Sequence, residues 1–261
     1  MASASIAVVM TMITGCGQIR GLLPSAERVF DVAKESALEP ETWVPLTAAA
    51  AIGLAGVDDN ISDWASDNTP IFGSQGSADQ TSDDLRNALI VGMAVSSVFA
   101  PVSSSADDGF RKRRVVANAL GFSVTGGVVQ SGKLIFQRER PNERDDESFP
   151  SGHSGSSFSS AVLIEQNLNA TIERPWLRKS IKAGTTATAA AVAWARVEAQ
   201  EHFPVDVLVS AALGNFFAKV FYKSFLTEDG PVVPPVAIEA GRDGFLVRVC
   251  LLYTSPSPRD S

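Results

Sequence analysis

Residues 150–167 read PSGHSGSSFSSAVLIEQN. Ser151 is a natural N-cap, and Phe158, Val162 and Ile164 carry a helical run behind it to about residue 167. The free backbone N–H groups at Gly152 and His153 then point outward from the helix start, where they form a seat for an anion. His153 is one of two histidines in the chain, the other being His202, so any imidazole chemistry falls to this pair.

Both flanks of this stretch add to the same picture. Upstream, Lys133 and Arg140 stand seven residues apart, two helical turns, so both can face one side before Pro141 stops the helix. Downstream, Arg196 is followed after five residues by His202, and His202 after three by Asp206. Pro204 suits a first helical turn, which puts His202 at the helix entrance. Asp206, four residues on, is placed to accept a hydrogen bond from one imidazole nitrogen. Two helix N-termini, two arginines and a lysine can thus converge on one tetrahedral anion, for which phosphate is the obvious candidate.

The rest of the chain reads as helix. Apolar spacing predicts helices over 26–38, 84–102, 111–138, 178–197 and 204–225. The run VPLTAAAAIGLAGV at 44–57 predicts a buried core helix, being shorter than the roughly 20 residues that cross a bilayer. The expected fold class is all-α, a helical bundle of about six core helices, with no internal repeat. Residues 58–84 carry seven Asp and no Lys or Arg, which predicts a solvated loop; DDNISD lacks the glycine and distal Glu of a calcium loop. The cluster Arg111-Lys112-Arg113-Arg114 reads as a solvated helix end. After Gly230 the period changes to that of two short strands around Gly241-Arg242-Asp243-Gly244, a C-terminal β-hairpin within 231–249.

Composition narrows the function. The formal net charge of −7 over 261 residues argues against nucleic acid as a partner. Cys16 and Cys250 are the only cysteines, too few for a disulfide framework or a zinc site. The mean hydropathy of +0.09 is slightly apolar for a soluble protein and low for a set of membrane spans. The apolar runs are short and broken by Gly, Ser, Asn and charge, as in 205–222 with Asn215 and Lys219, which favours a water-soluble bundle.

The three clusters, in this order and with these gaps, resemble the signature of the type 2 phosphatidic acid phosphatase (PAP2) superfamily, which also takes in bacterial class A acid phosphatases and vanadium haloperoxidases. That signature is K-x6-RP, PSGH and SR-x5-H-x3-D. Lys133, Arg140 and Pro141 match its first part, Pro150 to His153 its second, and Arg196, His202 and Asp206 its third. Ala195 stands where the signature has Ser, which removes one hydroxyl contact and bears on affinity. The resemblance implies a phosphatase of monoesters or diphosphates, on a phosphorylated small molecule or a lipid. His202 would be the nucleophile, Asp206 its partner and His153 the acid and base. Lys133, Arg140, Ser151, Gly152 and Arg196 would hold the phosphate. No metal or other cofactor is implied. Vanadate would enter only as an inhibitor or under the alternative of a haloperoxidase. A non-catalytic phosphate- or lipid-binding member of the fold is the second alternative.

At the N-terminus, residues 1–16 hold an apolar stretch and small residues before Cys16, the shape of an export signal, and Ile13-Thr14-Gly15-Cys16 resembles a lipobox acylated on Cys16. The domain order expected is a leader at 1–16, a phosphatase domain at 17–230, the hairpin at 231–249 and a tail at 250–261. The tail, CLLYTSPSPRDS, looks like a translated sequencing adapter and is set outside the fold. The expected location is the bacterial periplasm or a membrane-anchored lipoprotein, with membrane association, or alternatively an integral inner-membrane protein.

Overall fold

The computed structural model describes residues 24–101, 108–169, 172–226, 236–241 and 244–249. Among them eight helices follow in order: α1 (Ala26–Leu38), α2 (Pro40–Ala55), α3 (Asp58–Asn68), α4 (Gln75–Phe99), α5 (Asp108–Phe136), α6 (Gly152–Asn169), α7 (Pro175–Glu198) and α8 (Pro204–Phe225). The all-α class expected from the sequence is the one observed. Two strands, β1 (Val236–Gly241) and β2 (Gly244–Val249), run antiparallel with Val236 opposite Val249. The leader at 1–16, Cys16, Cys250 and the tail at 250–261 lie outside the described residues.

The central pair is α6 and α8. The first packs on α4, α5 and α7, the second on α1, α2 and α5, and the two pack on each other. They meet closely because the residues between them are small. A Cβ on Gly214 would lie 2.5 Å from the Gly155 carbonyl oxygen and 2.9 Å from the Ser159 nitrogen. Ser154, Ser157, Ser159 and Ser160 are all buried, and the Ser154 hydroxyl donates to the Val207 carbonyl at 2.6 Å. Deeper in the bundle, Leu89, Met93, Val162, Leu163 and Tyr222 form the main apolar cluster. Each large apolar side chain so buried contributes about 1.5–3 kcal/mol.

Four expectations are corrected. Residues 58–84 are not a solvated loop: α3 and the start of α4 occupy most of them. Carboxylates are favourable in a first helical turn, where Asp58 and Asp59 sit, and Ser62, Ala65 and Ser66 are buried. Ser74 caps α4 by accepting from the Ser77 N–H at 3.1 Å, so that helix starts nine residues earlier than its apolar spacing indicated. The basic cluster is not wholly solvated either. Arg114 is fully buried and donates to the Ser97 and Ala100 carbonyls at 2.9 and 2.7 Å, which satisfies the last turn of α4. With α3 included, the described residues carry eight helices.

The fourth correction concerns α2. Its apolar run is not a core helix, for Trp43, Val44, Leu46 and Leu54 are exposed, Leu54 at 90%. Val91, Val95 and Phe99 of α4 and Leu134, Ile135 and Phe136 of α5 are exposed as well. By contrast α8 is largely buried, and its polar letters are neutralised in place. Asn215 donates to the Ala211 carbonyl of its own helix at 2.8 Å, while Lys219 pairs with Glu39 and, at 3.1 Å, with Glu41. Among the described residues, α8 is the one helix long and apolar enough to cross a membrane.

Candidate active site

One end of the bundle gathers the last turns of α5 and α7, the first turns of α6 and α8, and the first half of α4. Lys133 ends α5 and Arg196 ends α7. Arg138, Arg140 and Ser148 lie on the segment 137–151, and Glu201 and His202 on the short link 199–203. The backbone carries part of the geometry. Ser151 receives the Gly155 N–H on its carbonyl at 3.1 Å and donates its own N–H to the Asp206 carbonyl at 3.4 Å, which ties the start of α6 to the start of α8. Around Gly152 there is open space: a Cβ there would meet nothing within 4 Å.

His202 is buried, and its Nδ1 lies 2.6 Å from the Ser148 carbonyl oxygen. A carbonyl only accepts, so Nδ1 carries the proton and Nε2 keeps its lone pair. Burial, reinforced by the charges of Arg196, Arg140 and Lys133, holds this imidazole well below the ordinary histidine range. The side chain is therefore neutral near pH 7, with a free nitrogen in a cationic pocket.

Asp206 does not accept from the imidazole, as the i, i+4 spacing led us to expect. Its carboxylate is 4.0 Å from His202 Nδ1. Instead it accepts from Arg138 at 2.7 Å, from the Ser148 hydroxyl at 2.5 Å and from the Phe203 N–H at 2.9 Å. The reason lies in the cap: the first-turn acid of α8 folds back on its own helix start and on the Ser148 segment. Asp206 thus braces Ser148, and the Ser148 carbonyl orients His202. Arg138 also donates to Asp58 at 2.8 Å, and Asp58 accepts the Val205 N–H at 2.9 Å, so α3 is tied to the same corner.

The cations expected to hold phosphate are all present and all braced by carboxylates. Arg140 donates to Asp145 at 2.5 Å and to Glu201 at 2.6 Å. Arg196 donates to Asp79 and to the Ser82 hydroxyl, the latter at 3.1 Å, and pairs with Glu201 at 3.1 Å. Lys133 donates to the Glu147 carbonyl at 2.9 Å, and its burial pushes the ammonium below its usual range. Arg144 reaches Glu201 as well, at 2.7 Å, so one carboxylate fastens three arginines. Ala195 is buried against Ala78 and Ala199, so the position that departs from the signature is filled by packing.

His153, in the first turn of α6, meets α4: its Nε2 lies 2.7 Å from Asp83 Oδ1 and 2.8 Å from Arg86 Nη1. Burial, followed by the charge of Arg196, lowers this imidazole to about 4 against the opposing pull of Asp83. The charge of Arg196 lowers both imidazoles. Asp79, Ser82, Asp83 and Arg86 of α4, with Glu201, Ser148 and Arg138, are the site residues that motif reading missed. The four on α4 recur at i, i+3, i+4 and i+7, one face of a helix, a signal cut in two by reading 58–84 as loop and starting the helix only at 84. Among the described residues no cluster of His, Cys, Asp and Glu is arranged to hold a metal ion. Beside the site, between α2, α3, α7 and α8, an apolar cavity of about 390 Å³ has Val197, Pro204 and Val207 in its wall.

Residues 114–229, which contain all three motifs, match the family model described as PAP2 superfamily. A stretch of 110 residues is 33% identical to the lipid A 1-phosphatase of Porphyromonas gingivalis and covers 42% of this chain. The match spans 23% of that relative, under a quarter of its length. The fold resembles the crystal structure of the first transmembrane PAP2 type phosphatidylglycerolphosphate phosphatase from Bacillus subtilis. The TM-score is 0.52 at 21% identity, over 70% of this chain and 92% of that one. The crystal structure of Aquifex aeolicus LpxE also matches, with a TM-score of 0.36 and 27% identity over 44% of this chain and 70% of that one.

Proposed function

From the premise that residues 114–229 are a PAP2-superfamily segment, we propose that this chain is a phosphatase that cleaves a lipid phosphate through a phosphohistidine. The observation that carries the reading is the Ser148 carbonyl on His202 Nδ1, which leaves Nε2 as a free lone pair beside Arg196, Arg140 and Lys133. Nε2 attacks phosphorus; the P–O bond to the leaving group breaks, and His153 gives that oxygen a proton. Water then attacks the phosphohistidine, His153 takes its proton, the P–N bond breaks and inorganic phosphate leaves. Lys133, Arg140, Arg196, Ser151 and the Gly152 N–H hold the equatorial oxygens, where phosphoryl transfer gathers negative charge. Asp206, 4.0 Å from Nδ1, stabilises the positive imidazole electrostatically and through Ser148. These side chains supply the charge that catalysis needs, and the reaction uses no cofactor; vanadate, a phosphate mimic, inhibits it.

A lipid fits the surroundings better than a soluble ester. The apolar cavity begins at Pro204, two residues from His202, and apolar side chains are exposed on α2, α4 and α5. The relatives named above are a lipid A 1-phosphatase and a phosphatidylglycerolphosphate phosphatase. The test is a panel of lipid phosphates in detergent beside nucleotides and sugar phosphates, for the wild type and His202→Ala. Phosphate release from the lipids is expected, with a loss on the order of a thousandfold or more in the variant. Equal turnover by the two proteins refutes the nucleophile, and a preference for soluble esters refutes the substrate class.

A further inference from the structure

The first half of α4 forms a wall of the site that none of the three motifs contains. Its residues Asp79, Ser82, Asp83 and Arg86 all touch motif residues, the first two at Arg196 and the last two at His153. The contacts at His153 converge on a single atom. Nε2 lies 2.7 Å from Asp83 Oδ1 and 2.8 Å from Arg86 Nη1, and the two partners are themselves 3.5 Å apart.

A ring nitrogen holds either a proton or a lone pair. With a proton, Nε2 donates to Asp83 and has nothing to offer Arg86. Without one, it accepts from Arg86 and faces Asp83 lone pair to lone pair. Two arrangements of the same ring are therefore each provided with a partner. We propose that Asp83 is a positioning residue for His153, holding Nε2–H so that the exchanged proton travels on Nδ1, and that Arg86 competes by favouring the idle tautomer.

The proton balance follows, resting on the phosphatase reading above. When the leaving group departs, the Nδ1 proton passes to its oxygen and the ring goes from imidazolium to neutral, Nε2–H still on Asp83. When water attacks the phosphohistidine, its proton returns to Nδ1 and the ring is cationic again. Both states donate Nε2–H to the Asp83 carboxylate, so the ring need not turn between the half-reactions. The charged groups around His153 are Asp83 and Arg86 from α4 and Arg196 from α7. The anion favours the imidazolium, and the two cations oppose it.

Removing either α4 partner therefore has opposite consequences. In Asp83→Asn, the limb of the pH profile of kcat/KM that belongs to His153 moves to lower pH; in Arg86→Gln it moves to higher pH. Asp83→Asn also loses about 10-fold or more on an alkyl phosphate, whose leaving oxygen needs a proton, and less on p-nitrophenyl phosphate, whose leaving group does not. Equal losses on both substrates with an unmoved limb mean that Asp83 only supports the fold, and overturn the proposal.

A second measurement does not depend on turnover. With two histidines in the chain, imidazole NMR titration of the full-length protein follows His153 directly, and His202→Ala assigns it. The His153 midpoint falls in Asp83→Asn and rises in Arg86→Gln if the proposal holds; coincident midpoints in all three proteins sink it. A wild type that releases no phosphate from any substrate overturns the phosphatase reading and leaves this titration to decide the α4 contact.

Discussion

His202 and His153 are both held below the ordinary histidine range, and the environment of each can be traced to named groups. Arg196 is the leading charge on both. Arg196→Gln should therefore move the acid limb of the activity profile upward in pH, whatever it does to the maximal rate through weaker phosphate binding. The same burial makes the fold sensitive to acid. An unfolded histidine takes a proton below about pH 6.5, whereas folded His153 resists until about 4. Stability is therefore complete above 6.5 and is lost as pH falls through that window, by roughly 3 kcal/mol for this residue. Thermal midpoints taken from pH 7 to pH 4 should drop, and the slope should flatten in His153→Asn, which cannot take up the proton. An unchanged slope in that variant would show that another group controls acid unfolding.

At the scale of the helices, glycine positions separate packing from propensity. On Gly214, a Cβ would run into the backbone of α6 at Gly155 and Ser159, atoms that cannot swing aside. Gly214→Ala should cost about 1–3 kcal/mol by overpacking the α6–α8 crossing. Gly184 lies inside α7 with nothing within 4 Å of its Cβ position. Gly184→Ala should raise stability by about 0.5–1 kcal/mol, because a helical glycine gives up more backbone freedom than alanine. Thermal unfolding of the pair checks the crossing directly; a Gly214→Ala protein as stable as the wild type would mean that the central helices are further apart than described. Helix existence was legible in the letters because apolar residues recur at helical spacing in α1, α5, α6, α7 and α8. The first turns of α3 and α4 were not, since acidic and small polar residues look alike in a loop and in a helix whose buried side is lined by Ser62, Ala65, Ser66, Ala78 and Ser82.

Across the whole molecule, several large apolar side chains are exposed while several charged ones are buried. Leu54, Phe99, Leu134, Ile135 and Phe136 are exposed, while Lys219 and Arg114 are buried on paired or capping duty. Contiguous exposed apolar patches mark a membrane or partner surface, and Leu134, Ile135 and Phe136 are consecutive exposed residues at the end of α5. The expected outcome of a carbonate wash is retention of the protein in the membrane fraction, with release by detergent; extraction by carbonate alone would instead support the water-soluble bundle expected from the sequence. Neither mean hydropathy nor the length of an apolar run records which apolar residues face inward.

Read alone, the amino-acid order established the helical class and brought Lys133, Arg140, His153, Arg196, His202 and Asp206 under one chemistry. These cations and imidazoles stand at or beside helix ends, and helix ends leave marks at fixed gaps along a chain. Only the tertiary structure decided that Ser148 rather than Asp206 meets His202, that Glu201 fastens the arginines, and that α4 closes the site through Asp83 and Arg86. Those pairings join segments far apart along the chain, 67 residues in the case of Arg86 and His153. Which acid finds which base across such a distance is settled by how the helices pack, and no local spacing encodes it.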